Sequence, residues 1–148
     1  MVNSNMKPFF LIHMDLFGPV NILSLSNKRY ALVLVDDFSR YTWVRFLQSK
    51  NEAAQEIIDQ IKTLDRGSEN KVTILRSDNG TEFRNSTLGD FCKELGISQQ
   101  FSAARTLQQN WVVERKNRTL IEAARTILSE AKLPTYFWAV AIRTACYT

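Results

Sequence analysis

Three acidic residues in this chain have the type and spacing to hold a divalent metal. They are Asp15, Asp78 in Ser77-Asp78-Asn79-Gly80-Thr81-Glu82-Phe83, and Glu114 in Val112-Val113-Glu114-Arg115-Lys116-Asn117, with residues 79 to 113, thirty-five in all, between the last two. Carboxylates gathered within a few ångströms repel, and one is driven toward protonation unless a cation neutralises them. Hard oxygen donors favour Mg²⁺ or Mn²⁺ over zinc and leave positions for water and phosphate oxygens. Two such ions about 3.5–4 Å apart activate an attacking oxygen and stabilise a leaving one at a phosphodiester. The chemistry implied is phosphoryl transfer on nucleic acid. Singly, each residue has a plainer reading: Asp78 before Asn79-Gly80 is turn chemistry, and Glu114 near a helix start complements the helix dipole. Asp15 inside an apolar run is harder to dismiss, because a buried carboxylate is costly without a partner. Order and spacing together favour the triad.

The elements that must position these residues follow from hydrophobic patterning. Residues 9 to 17 form an apolar run broken by His13 and Asp15, as in a buried strand. Two further strands are expected over 30–35 and 41–47, joined by a polar hairpin connection in which Asp36 and Asp37 end a strand and begin a turn. Ala54, Ile57, Ile58, Ile61 and Leu64 then recur at helical spacing, with Ser49 and Glu52 placed as a capping box and Gly67 beyond the end. A short strand over 72–75 delivers Asp78 to its turn. A helix over 87–95 points Leu88, Phe91, Cys92 and Leu95 inward and stops at Gly96. A fifth strand is expected over 97–101. The longest helix, over 111–131, carries a stripe of Val113, Leu120, Ala124, Ile127 and Ala131 and holds Glu114 in its first turn. Residues 136 to 147 are apolar at nearly every position, as core or as a partner surface. The order predicts an α/β fold in which a mixed five-stranded sheet brings the three carboxylates to one edge.

Composition bounds what the triad can belong to. The 148 residues, 45% hydrophobic, suffice for one compact core. No apolar run of about 18 residues is present to span a membrane, and residues 1–8 read as a polar tail without the regions of a secretory signal. An intracellular protein, nuclear or cytoplasmic, is expected. Cys92, Cys146 and the lone His13 make no Cys/His zinc site. The thiols read as reduced and His13 as a core residue. The net charge of +4 permits an anionic partner. Residues 114 to 132 carry Arg115, Lys116, Arg118, Arg125 and Lys132 against Glu114, Glu122 and Glu130, either an ordinary solvated helix face or a nucleic-acid contact made mainly through phosphates.

Five stretches taken together identify a resemblance: residues 13–19 (His-Met-Asp-Leu-Phe-Gly-Pro), 35–41 (Val-Asp-Asp-Phe-Ser-Arg-Tyr), 77–83, 108–110 (Gln-Gln-Asn) and 112–118. From about residue 9 to 148 the chain resembles the catalytic core of retroviral-type integrases, and in particular of copia-type LTR retrotransposon integrases. The resemblance implies a ribonuclease H-like fold, a single catalytic core that is a fragment of a longer polyprotein, and a D,D-35-E triad on Asp15, Asp78 and Glu114. It further implies Mg²⁺ or Mn²⁺, two ions with substrate bound. The activity implied is trimming of element DNA ends with water, then joining of the recessed 3′-hydroxyls to target DNA. Implied partners are double-stranded DNA and a homodimer or higher integrase oligomer. Residues after the glutamate face DNA in such enzymes, which nominates Lys116, Asn117 and Arg118.

One segment departs from the family pattern Ser-Ala-Pro-Tyr-Thr-Pro-Gln-Gln-Asn-Gly-Val-Val-Glu. Ala104 and Leu107 replace its prolines, Arg105 its aromatic residue and Trp111 its glycine. Fixed φ angles and a permissive hinge are lost. A shift of about 1 Å at Glu114 would cost catalysis about 100-fold. The alternative to an active integrase core is therefore an impaired remnant that keeps its fold and its binding of nucleic acid or a partner. A metal-dependent nuclease of the same fold is a third reading, which the copia-like stretches oppose.

Overall fold

The computed structural model describes residues 7–20, 26–102 and 111–146, and for Trp111 the backbone alone. Five strands, β1 (Leu11–Phe17), β2 (Tyr30–Asp36), β3 (Thr42–Leu47), β4 (Ile74–Asp78) and β5 (Ser98–Ser102), form one sheet in the order β3-β2-β1-β4-β5. The pairs β1–β2 and β2–β3 are antiparallel, whereas β1–β4 and β4–β5 are parallel. Among the described residues, four α-helices flank it: α1 (Ala53–Arg66), α2 (Ser86–Leu95), α3 (Trp111–Glu130) and α4 (Trp138–Cys146). This is the mixed five-stranded sheet that the element order predicts and the ribonuclease H-like architecture that the resemblance implies.

The strand period of two assigns each side chain to a layer. Ile12, Met14, Leu32, Leu34 and Leu75 turn toward α1 and α2, where they pack with Ile57, Ile61, Leu88 and Cys92. Ala31, Val33 and Val35 turn the other way, onto α3 and α4, against Val113, Leu120, Ala124 and Trp138. Asp15 therefore shares the α3-facing side of β1 with His13 and Phe17.

Local signals explain most of the boundaries. The five apolar residues of the α1 stripe are all buried. The Ser49–Glu52 capping box is formed, and a single 3₁₀ turn, Lys50–Glu52, leads into the helix. Gly96 ends α2 at φ 73°, the left-handed position that glycine fills at least cost. At the start of α2, Asn85 accepts the Leu88 N–H at 3.0 Å, a cap the patterning had not singled out.

Four expectations are corrected. Strand β1 begins at Leu11 rather than residue 9, because Phe9 adopts φ 69° and donates its N–H to the Asp36 carboxylate at 3.0 Å. Strand β4 begins two residues later than expected and extends through Asp78, because the Val72 N–H is taken by the Asp65 side chain at 3.2 Å and ladder pairing starts at Ile74. Leu95 is 51% exposed rather than inward, because α2 ends there and the chain turns away at Gly96. Ala131 lies beyond the end of α3 and is exposed, so the stripe stops at Ile127. The apolar C-terminal segment is core along one face, where Trp138, Ala141 and Ile142 are buried, while Tyr136 and Val140 remain exposed.

Candidate active site

Asp15 enters the site because β1 is central: β2 pairs on one side and β4 on the other. The β1–β4 register pairs His13 with Arg76, and continued by two residues it sets Asp78 opposite Asp15. Both lie at the same end of neighbouring parallel strands. Asp78 caps its own turn, its Oδ1 accepting the Gly80 N–H at 2.8 Å, so the Asn-Gly chemistry fixes the carboxyl rather than competing with it. Glu114 stands exposed in the first turn of α3.

Asn117, one helical turn after Glu114, reaches down to the sheet and donates from Nδ2 to Asp15 Oδ2 at 2.6 Å. This contact ties α3 to β1 at the carboxyl itself. Asp15, Glu114, Asn117, Arg118, Ile121, Glu122 and Arg125 line a groove of about 300 Å³ along the helix. Burial raises the Asp15 carboxyl from 3.8 to about 6. The Asn117 and Leu16 hydrogen bonds oppose that rise, and the charges of Asp78 and Glu114 add to it. Asp15 thus lies within electrostatic reach of both other acidic residues singled out in the sequence. Among the described residues, however, no three His, Cys, Asp or Glu side chains are drawn close enough together to chelate an ion.

The neighbouring polar residues are structural. Asp36 is fully buried and accepts from the Phe9 N–H, the Ser39 N–H and the Ser39 hydroxyl, which closes the β2–β3 turn. His13, 2% exposed, is bonded through Nε2 to Asp37 Oδ1 at 2.7 Å. Burial lowers its pKa below 6.5, against the Asp37 contact, so the ring is held neutral with Nε2–H as donor. Cys92 and Cys146 are free thiols; burial raises Cys92 to about 11 and makes it unreactive.

Of the nominated DNA-facing residues, Arg118 and Asn117 line the groove beside Asp15, whereas Lys116 turns to the opposite flank of α3. Ala104, Arg105 and Leu107 and the side chain of Trp111 lie outside the described residues. The sequence reading had no signal for the Asn117–Asp15 bond, whose partners are 102 residues apart.

Fold and carboxylates together define a ribonuclease H-like domain with an acidic site at the end of its central parallel strands. Residues 6–106 match the model of the integrase core domain family. The chain is 37% identical over 137 residues, 93% of its length, to a retrovirus-related Pol polyprotein from transposon TNT 1-94 of Nicotiana tabacum. It is 34% identical over 146 residues, 99% of its length, to the Pol polyprotein of transposon RE1 of Arabidopsis thaliana. It spans about 10% of the length of each of these relatives. In shape it resembles a chain of a simian T-cell lymphotropic virus intasome bound to the PP2A regulatory subunit B56 gamma, with a TM-score of 0.76 and 20% identity over 100% of this chain and 50% of the other. It also resembles the HTLV-2 integrase catalytic core solved in complex with magnesium, with a TM-score of 0.69 and 20% identity over 97% of this chain and 86% of the other. The chain belongs to the integrase core domain family.

Proposed function

We propose that this domain carries out metal-dependent phosphoryl transfer on DNA, trimming the ends of a retrotransposon and joining their 3′-hydroxyls to target DNA. The observation that carries this reading is Asp15: a carboxyl on the α3 face, raised to about 6, within electrostatic reach of both Asp78 and Glu114. The donor set fits Mg²⁺ or Mn²⁺, since all three groups offer hard oxygens and a cation would relieve the repulsion at Asp15. Bound there, two ions would activate the attacking oxygen and stabilise the leaving one. The chain's own residues prepare the site. Asn117 orients the Asp15 carboxyl, the Gly80 N–H holds that of Asp78, and the first turn of α3 presents Glu114. Lys116, Asn117 and Arg118 are assigned to DNA, mainly through phosphates. Double-stranded DNA and further copies of the chain are the proposed partners, and the domain is proposed to work as part of a longer polyprotein.

A second reading has its own observation: the carboxylates are not gathered into a chelating group. It supports a domain that keeps fold and nucleic-acid binding while its altered 104–111 segment impairs catalysis. Incubation of a labelled DNA duplex with the chain and Mn²⁺ separates the two. Metal-dependent nicking that Asp78→Asn and Glu114→Gln both abolish supports the first reading. Nicking seen only after Trp111→Gly supports the second. Nicking retained in Asp78→Asn contradicts both.

A further inference from the structure

Of the chain's five glycines, only Gly80 follows an asparagine. The pair stands directly after Asp78, and the contacts around it suit a reaction as well as a turn. In that reaction the backbone nitrogen after an asparagine attacks the side-chain carbonyl carbon, closes a succinimide ring and expels the amide nitrogen as ammonia. It makes three demands: room beside the attacking nitrogen, stabilisation of charge on the carbonyl oxygen, and an acceptor for the proton of the attacking N–H.

Each demand is met by a particular group. Gly80 gives the room, because it sets no side chain beside the attacking nitrogen; a Cβ there would lie 2.6 Å from Glu82 Oε1. Asn79 is exposed, and its Oδ1, where charge develops, accepts a hydrogen bond from the Arg84 guanidinium at 2.8 Å. A cation at that oxygen acts as the donors of an oxyanion hole act in acyl transfer. Arg84 is itself held in place: its guanidinium lies over the Phe101 ring, 5.0 Å from the centroid, and its N–H is bonded to the Gly80 carbonyl at 2.9 Å. The Gly80 N–H points at Asp78 Oδ1 at 2.8 Å, so its proton has an acceptor in place. Asn85, six residues on, supplies the contrast. Its Nδ2 donates to the Thr81 and Glu82 carbonyls and its Oδ1 accepts the Leu88 N–H, which locks that amide as the cap of α2.

We propose that Asn79 is a self-modifying site, where the fold promotes conversion to aspartate and isoaspartate with water as the only other reactant. Gly80 N bonds to Asn79 Cγ, and its proton passes to Asp78 Oδ1 and on to the departing Nδ2. The tetrahedral intermediate, its oxyanion held by Arg84, collapses with breakage of the Cγ–Nδ2 bond and release of ammonia. Water then opens the succinimide at either carbonyl, to aspartate or to isoaspartate. Either product sets a new carboxylate beside Asp78, and isoaspartate also lengthens the main chain by one carbon where the Gly80 N–H holds the Asp78 carboxyl. The bearing of this change on metal-dependent chemistry rests on the proposed function; the modification itself does not.

The test is incubation of the full chain at physiological temperature and pH in buffer containing EDTA, beside the same chain unfolded in urea. Peptide mass spectrometry localises the change from amide to acid, and methyl transfer by a protein isoaspartate methyltransferase reports the isoaspartate. Asn79 is expected to convert several-fold faster in the folded chain than in urea, while Asn85 stays intact. Arg84→Met, which keeps the contact with Phe101 and removes the cation, is expected to slow the folded chain several-fold and leave the rate in urea unchanged. Arg84→Lys is expected to recover part of the folded rate, and circular dichroism checks that each variant folds. Conversion no faster in the folded chain than in urea would overturn the proposal without recourse to any variant. A folded Arg84→Met chain that converts at the unmodified rate would overturn it equally.

Discussion

Asp15 is a charge that the metal-free fold is poorly suited to hold. Its carboxyl titrates near 3.8 when unfolded and about 6 in place, so the folded state favours the protonated form. Below 3.8 both states are protonated and there is no penalty; the penalty grows between 3.8 and 6 and is complete above. Asp15→Asn keeps an oxygen for Asn117 and removes the charge. It is therefore expected to raise the melting temperature of metal-free protein at pH 7 by a few degrees, with the gap from the unmodified chain closing toward pH 4 on calorimetry. His13 contributes the opposite trend. Its pKa is lowered in the fold, so its neutral form favours folding above 6.5 and that contribution falls as pH drops below. The comparison with Asp15→Asn cancels it. Asn117→Leu should weaken Mn²⁺ binding by about 10–100-fold without unfolding the chain, the usual effect of losing a group that orients a ligand. Of these groups, the acidic residues were legible in the sequence because their order and spacing are a pattern. Their partners were not: Asn117 meets Asp15 across 102 residues and His13 meets Asp37 across 24, and no periodicity reports such pairs.

At the scale of elements, two glycines with positive φ should respond differently to a methyl group. Gly96, at φ 73°, has nothing within 4 Å of an added Cβ, so Gly96→Ala meets only backbone strain and should cost about 1 kcal/mol in urea unfolding. Gly18, at φ 122°, would place its Cβ 2.6 Å from the Arg29 carbonyl oxygen, where backbone must move. Gly18→Ala should be the more destabilising by the same assay, and equal losses would contradict the geometry. Helix α1 was legible because one apolar stripe and one capping box agree. The start of β4 was not, since Val72 is as apolar as a strand residue and is buried, yet its N–H is spent on Asp65. The Asn85 cap lay in plain view ahead of α2, hidden only by the stronger turn signal of Asn79-Gly80.

Across the whole molecule, the succession of elements and the mixed five-stranded sheet were legible from strand and helix periodicity, whereas the spatial order β3-β2-β1-β4-β5 was not, because pairing between strands distant in sequence leaves no periodic trace. The groove that sets Asp15 beside Glu114, Asn117 and Arg118 was not legible, because it forms only when α3 packs on β1. A net charge of only +4 over the whole chain, with Arg115, Lys116, Arg118 and Arg125 on one helix, predicts weak duplex binding that falls steeply with salt. About 3–5 neutralised phosphates would give a log–log slope of roughly −3 to −5. Tight binding that persists at high ionic strength would contradict this. The central claim, that Asp15, Asp78 and Glu114 act together on a divalent ion, is tested most directly by calorimetric titration of Mg²⁺ or Mn²⁺ into the chain, Asp78→Asn and Trp111→Gly. The account predicts binding that Asp78→Asn abolishes and Trp111→Gly retains or strengthens. Absence of binding in every version, or binding that survives Asp78→Asn, would contradict it.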